Sequence, residues 1–138
     1  MTDKALSVRQ PWASLITCGL KTIEIRTWTT HYRGHLYIHA AKSLDQVAMH
    51  RFQLEAPPTG ALVGTVELVK VEPFTADLWD AWADRHLDNG AFMPGFYAWH
   101  FEDARPLPEP VAYKGDLSLF SVVVEPAIPA KVFPGLIA

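Results

Sequence analysis

The sequence predicts an α+β fold, a small, partly closed β-barrel of about six strands with two or three helices at its side. Three observations predict it. Six short segments carry β-branched or alternating patterns, two or three others carry helical spacing, and no repeat or linker divides the 138 residues. A chain of that length forms one domain and buries a core without disulfides or metals.

Ala5 to Val8 reads as the first strand, feeding a short helix over Pro11 to Cys18 with proline in its first turn and Gly19 as its left-handed cap. The β-branched run Thr22 to Thr27 is the second strand; Thr22, Glu24, Arg26 and Trp28 share one face, and Ile23 and Ile25 turn to the core. After the polar loop Thr29 to Gly34, His35 to Ala40 alternates cleanly as a third strand. Ser43-Leu44-Asp45-Gln46 has the form of a capping box opening a helix with Leu44, Val47, Ala48 and Phe52 at helical spacing. Pro57 to Gly60 breaks the chain before the strongest strand, Ala61 to Val71. Leu78, Trp79, Trp82 and His86 mark a helix over Thr75 to Leu87, ended by Asp88-Asn89-Gly90. Phe96 to Phe101 is a strand apolar on both faces, Arg105 to Pro110 a proline-stiffened loop, and Leu117 to Val124 the last strand. The domain therefore spans 1–125, and 126–138, with three prolines, is a C-terminal tail.

A single cysteine, Cys18, excludes an internal disulfide and fits a reducing compartment. No apolar stretch approaches the roughly 20 residues that cross a bilayer, so a soluble, cytoplasmic protein with no membrane partner is expected. The net charge of −3 argues against a protein that coats nucleic acid. Its distribution is uneven: residues 1 to 52 hold seven Lys/Arg against three acids, and the remainder carries −7. An anionic ligand would meet the N-terminal part.

The densest chemistry is Gly19-Leu20-Lys21-Thr22-Ile23-Glu24-Ile25-Arg26. A bend after Gly19 brings the Lys21 ammonium beside the Glu24 carboxylate, which regular strand parity alone would not do. Together with Ser7-Val8-Arg9-Gln10-Pro11-Trp12-Ala13, Tyr32-Arg33-Gly34 and Ile38-His39-Ala40-Ala41-Lys42, this stretch resembles the ASCH domain of the PUA-like superfamily. Gly64 to Val69, Gly95 to Trp99 and Gly115 to Phe120 look like the remaining barrel strands of that family. The likeness covers about residues 4 to 124 and is strongest to small single-domain members similar to the endothelium-overexpressed lipopolysaccharide-associated factor. It implies the same PUA-like barrel. Some ASCH proteins remove acyl groups from the exocyclic nitrogen of N4-acylated cytidines at a site that includes the motif lysine, matched here by Lys21. One such branch has threonine where this chain has Glu24, with a further carboxylate from mid-chain. Glu67, Asp80 and Asp84 are the candidates for that carboxylate.

The expected activity is a metal-independent amidohydrolase acting on N4-acylated cytosine nucleosides or related modified pyrimidines, with Glu24 as general base and Lys21 as electrostatic activator. The competing reading of Glu24 is an ordinary ion pair with Arg26 along one strand face. Trp12 and Trp28 flank the motif and offer flat faces to a base. Gln10 can read an amide edge, and Arg26, His39 and Lys42 complete the expected substrate-binding set. His31, His35 and His39 do not form a metal site, because His35 and His39 lie about 13 Å apart on a strand, so neither metal nor cofactor is expected. Cys18 lacks a neighbour that would activate its thiol. The expected partner is a small modified nucleoside; the rival readings are a module that holds single-stranded RNA weakly and an RNA-cleaving protein using Lys21 and His39.

Overall fold

The computed structural model describes residues 3–124. The tail expected over 126–138 lies outside them. Six strands and four short helices follow in the order β1 (Asp3–Gln10), α1 (Trp12–Thr17), β2 (Ile23–Arg26), β3 (Gly34–Leu44), α2 (Gln46–Phe52), β4 (Ala61–Pro73), α3 (Ala76–Ala81), α4 (Ala83–His86), β5 (Tyr97–Ala112) and β6 (Leu119–Val122). They build one mixed sheet in the order β2-β5-β4-β3-β1-β6. Only β1 and β3 run parallel; every other neighbour is antiparallel. The sheet is not closed by a strand pairing between β2 and β6 among the described residues. A side chain spans part of the opening: the Arg26 guanidinium on β2 donates to the Ser7 carbonyl on β1 at 3.0 Å.

The alternating apolar faces of the strands converge on a core of Leu6, Val8, Leu36, Ile38, Val66, Leu68, Trp99 and Phe101, into which α1 inserts Ala13 and Ile16, both fully buried. Burying each large aliphatic side chain contributes about 1.5–3 kcal/mol. A second cluster, Ile23, Phe74, Trp79 and Ala98, anchors α3 beneath β2. At Gly64 on β4, a Cβ would stand 2.4 Å from Thr17 Cγ2 and 2.7 Å from the Arg105 carbonyl oxygen. Gly64→Ala is therefore expected to lower unfolding free energy by about 1–3 kcal/mol, read as a reduced urea midpoint at unchanged slope.

Several expected boundaries differ. Helix α2 is capped by Asp45, whose carboxylate accepts from the Ala48 N–H at 3.1 Å, and not by Ser43, because β3 continues through Leu44. Val47, expected on the buried side, is 78% exposed. The single helix over Thr75 to Leu87 is divided at Trp82, whose ψ of 20° departs from helical geometry. The expected loop at Arg105 to Pro110 is instead the second half of β5. Its three prolines are tolerated because β2 pairs only with Tyr97 to His100, leaving the far half of β5 an edge with no ladder hydrogen bonds to donate on that side.

Candidate functional site

Gly19, at φ +85°, turns the chain out of α1, and the Lys21 N–H then bonds the Leu15 carbonyl at 2.9 Å. That turn points Lys21 inward, where its side chain is 2% exposed. Its Nζ lies 3.6 Å from Glu24 Oε1, donates to the His86 carbonyl and sits 4.8 Å from the centroid of the Trp12 ring. Glu24 is also buried; its Oε2 accepts from Arg26 at 2.9 Å and its Oε1 from the Ile25 N–H at 3.1 Å. The two contacts expected of Glu24, the ion pair with Arg26 and the approach of the Lys21 ammonium, thus occur together. These groups form the floor of an open cleft of about 440 Å³.

Burial dominates the Lys21 equilibrium and pulls its pKa below the ordinary lysine value, against the opposing pull of Glu24 and Asp88. Burial also pushes Glu24 upward, but Arg26, Lys21 and the Ile25 N–H together outweigh it and hold the carboxyl below the ordinary range. Glu24 therefore stays ionised at neutral pH, and the Lys21 ammonium loses its proton more readily than a solvated one.

The walls are Trp12, Trp28, Arg9 and Thr27, with Phe96, Asp45 and Asp88. Trp12 is fixed by its Nε1–H, which donates to Asp45 Oδ2 at 2.9 Å, so the residue that caps α2 also orients the cleft indole. That hydrogen bond is the first cause of the lowered Asp45 pKa. One face of Trp12 is committed to Lys21, whereas Trp28 stands edge-on to Trp99 at 4.7 Å with part of its surface open.

Of the eight expected site residues, Trp12, Lys21, Glu24, Arg26 and Trp28 meet in this cleft. The other three do not. Gln10 is fully buried, donating to the Pro58 carbonyl and accepting from the Ser14 N–H, both at 2.9 Å. Its amide is spent on joining α1 to the Pro58 loop, which removes it as a reader of substrate. His39 and Lys42 line a different cavity, because His39 turns toward Ser7 on the parallel neighbour β1. None of Glu67, Asp80 and Asp84 lines the cleft; the mid-chain carboxylate that does is Asp88. Its backbone N–H bonds His86 Nδ1 at 3.0 Å and its Oδ1 accepts from the Gly90 N–H at 2.7 Å. In the sequence Asp88 reads only as a helix stop, and nothing in its spacing connects it to Lys21. Arg9 was equally hidden, although it sits inside the Ser7 to Ala13 motif. Cys18 is exposed at the end of α1, away from the cleft. No cluster of three His, Cys, Asp or Glu side chains suited to a metal occurs among the described residues, and no helix there is long and apolar enough to cross a membrane.

Comparison with known proteins places this geometry in a family. Residues 6–116 match the model of the ASCH domain. Activating signal cointegrator 1 from Homo sapiens and its Mus musculus counterpart are each 40% identical over 78 residues, covering 46% of this chain but only 13% of those much longer proteins. The crystal structure of ASCH from Zymomonas mobilis has a TM-score of 0.66 at 15% identity, over 87% of both chains. A single-substitution variant of it gives 0.61 at 16%, over 87% of this chain and 89% of that one. At such identities the structures attest the fold, and the match over most of the domain attests the family: this chain belongs to the ASCH domain family, with its PUA-like fold.

Proposed function

We propose that the cleft hydrolyses an amide, removing the acyl group from the exocyclic nitrogen of an N4-acylated cytosine nucleoside or a related modified pyrimidine. The observation that carries this reading is a buried ammonium 3.6 Å from a buried, ionised carboxylate at the floor of a solvent-open cleft. The lining is charge-balanced, three cations (Arg9, Lys21, Arg26) facing three carboxylates (Glu24, Asp45, Asp88), which suits a neutral ligand. Trp28 offers an aromatic surface for the pyrimidine.

In this reaction a water bound at Glu24 gives one proton to the carboxylate as its oxygen bonds to the acyl carbon. The carbonyl electron pair moves onto oxygen, where the Lys21 ammonium stabilises it. Collapse breaks the C–N bond and Glu24 returns the proton to the departing nitrogen, releasing a carboxylic acid and the free amine. Arg26 keeps Glu24 ionised and fixes its plane. Asp88 favours the charged form of Lys21.

The pH–rate profile tests the assignment. The lowered Glu24 pKa puts the acid limb below the ordinary glutamate value, and the lowered Lys21 pKa brings the alkaline limb below the ordinary lysine value, with a plateau between. An acid limb near the ordinary histidine value would move the base to another residue.

A second reading, single-stranded RNA binding without bond breakage, is favoured by the exposed Arg9 at the cleft rim. Salt separates the two. Hydrolysis of an uncharged nucleoside changes little between low and moderate ionic strength, whereas RNA affinity falls steeply as counterions compete.

A further inference from the structure

A second cavity lies beside the Lys21 cleft, and among the described residues Ser7 alone lines both. The second encloses about 870 Å³. Its wall is rigidly built. His39 is 2% exposed, and its Nε2 lies 2.7 Å from the Tyr113 carbonyl oxygen. A carbonyl only accepts, so Nε2 carries a proton, and in the neutral imidazole Nδ1 accepts from the Ser7 hydroxyl at 3.0 Å. Gly115 closes over this pair; a Cβ there would stand 2.7 Å from His39 Cε1.

The charge of the second cavity differs from that of the cleft. Lys42 and Lys114 line it against Asp116 alone, and neither lysine has an ion-pair partner among the described residues. The Lys42 stem lies on Gly60, where a Cβ would meet its Cε at 3.2 Å and its Cγ at 3.3 Å. Its ammonium is therefore carried on a packed stem. A charge-balanced cleft that shares Ser7 as a wall with a cavity of net positive charge fits a ligand with a neutral part and an anionic part.

We propose that the second cavity is a phosphoryl-binding subsite, so that the substrate is phosphorylated, with its base in the Lys21 cleft and a phosphate held by Lys42 and Lys114. This rests on the base-in-cleft reading above. The phosphate belongs either to a mononucleotide or to the backbone of a chain, and the two sources share the chemistry of recognition.

Two measurements test it. Inorganic phosphate titrated into isotopically labelled protein is expected to shift the amide resonances of Tyr113, Lys114 and Gly115, and to leave them unmoved in Lys114→Glu; unmoved resonances in the unsubstituted protein overturn the proposal. Hydrolysis is then compared for N4-acetylcytidine, its 5′- and 3′-monophosphates and a trinucleotide carrying it centrally. KM for at least one phosphorylated substrate is expected about tenfold below that for the nucleoside, and Lys114→Glu closes the gap while leaving nucleoside turnover unchanged. A gap for a monophosphate assigns a mononucleotide, and a gap for the trinucleotide alone assigns a chain. Equal KM values for all four substrates overturn the subsite with the amidohydrolase intact. Absence of hydrolysis from every substrate overturns the amidohydrolase reading instead, and the phosphate titration then decides the subsite on its own.

Discussion

Glu24→Gln is expected to lower deacylation of N4-acetylcytidine by at least about 100-fold, the usual scale of a positioned general base. The amide keeps the shape of the side chain, but it cannot take a proton from water, and its one carbonyl oxygen can accept from either Arg26 or the Ile25 N–H while its NH2 faces the other donor. It also removes the one carboxylate that pairs, among the described residues, with Lys21, whose side chain is 2% exposed, and so leaves a buried ammonium beside a guanidinium. Loss of one partner from a buried ion pair costs about 3–5 kcal/mol, so a lower melting temperature accompanies the loss of activity. Activity must be compared well below that temperature, where circular dichroism shows both proteins folded. Glu24 also links stability to pH. Its carboxyl is held below the ordinary range in the folded chain, so the stability it contributes is present above the ordinary glutamate value and is lost as pH falls through the lowered folded value.

Lys21→Met separates catalysis from stability more cleanly. Methionine fills a similar volume, leaves Glu24 paired with Arg26 and removes the cost of burying an ammonium, while leaving the His86 carbonyl without its donor. These effects oppose one another, and the unfolding free energy is expected to change by no more than about 2 kcal/mol. Turnover is expected to fall by about 10²–10³, because the oxyanion loses the buried ammonium that faces Glu24. A structural ion pair with no chemistry would leave turnover intact in this variant.

Much of the centre of the site is legible in the sequence because it is local. Gly19, Lys21, Glu24 and Arg26 fall within eight residues, and a glycine at the end of a short helix is enough to imply the bend that turns Lys21 inward. Trp12 and Trp28 flank the same stretch. What the sequence hides depends on pairing across the sheet. His39 and Lys42 look like neighbours of the motif, but β3 runs parallel to β1 and sets His39 against Ser7, in a separate cavity. Gln10 looks like a free amide, and only the approach of the Pro58 loop reveals that both its ends are occupied. Asp88 reaches the cleft because α3 and α4 fold back beneath β2, with the Thr22 N–H bonding the Arg85 carbonyl at 3.0 Å, a long-range contact with no local signature. The fold follows the same division. Alternation and β-branching reveal the strands, whereas the prolines of β5 read as a loop until the shortness of β2 shows why an edge can hold them.

The central claim, that Lys21 and Glu24 form a hydrolytic centre, is tested most directly by following release of cytidine from N4-acetylcytidine by the purified protein and by Glu24→Gln, side by side at neutral pH and with a chelator present. The expected result is turnover by the unsubstituted protein, unaffected by the chelator, and turnover reduced at least about 100-fold in the variant. Folded protein that releases no cytidine, or a Glu24→Gln protein that releases it at an undiminished rate, would contradict the claim.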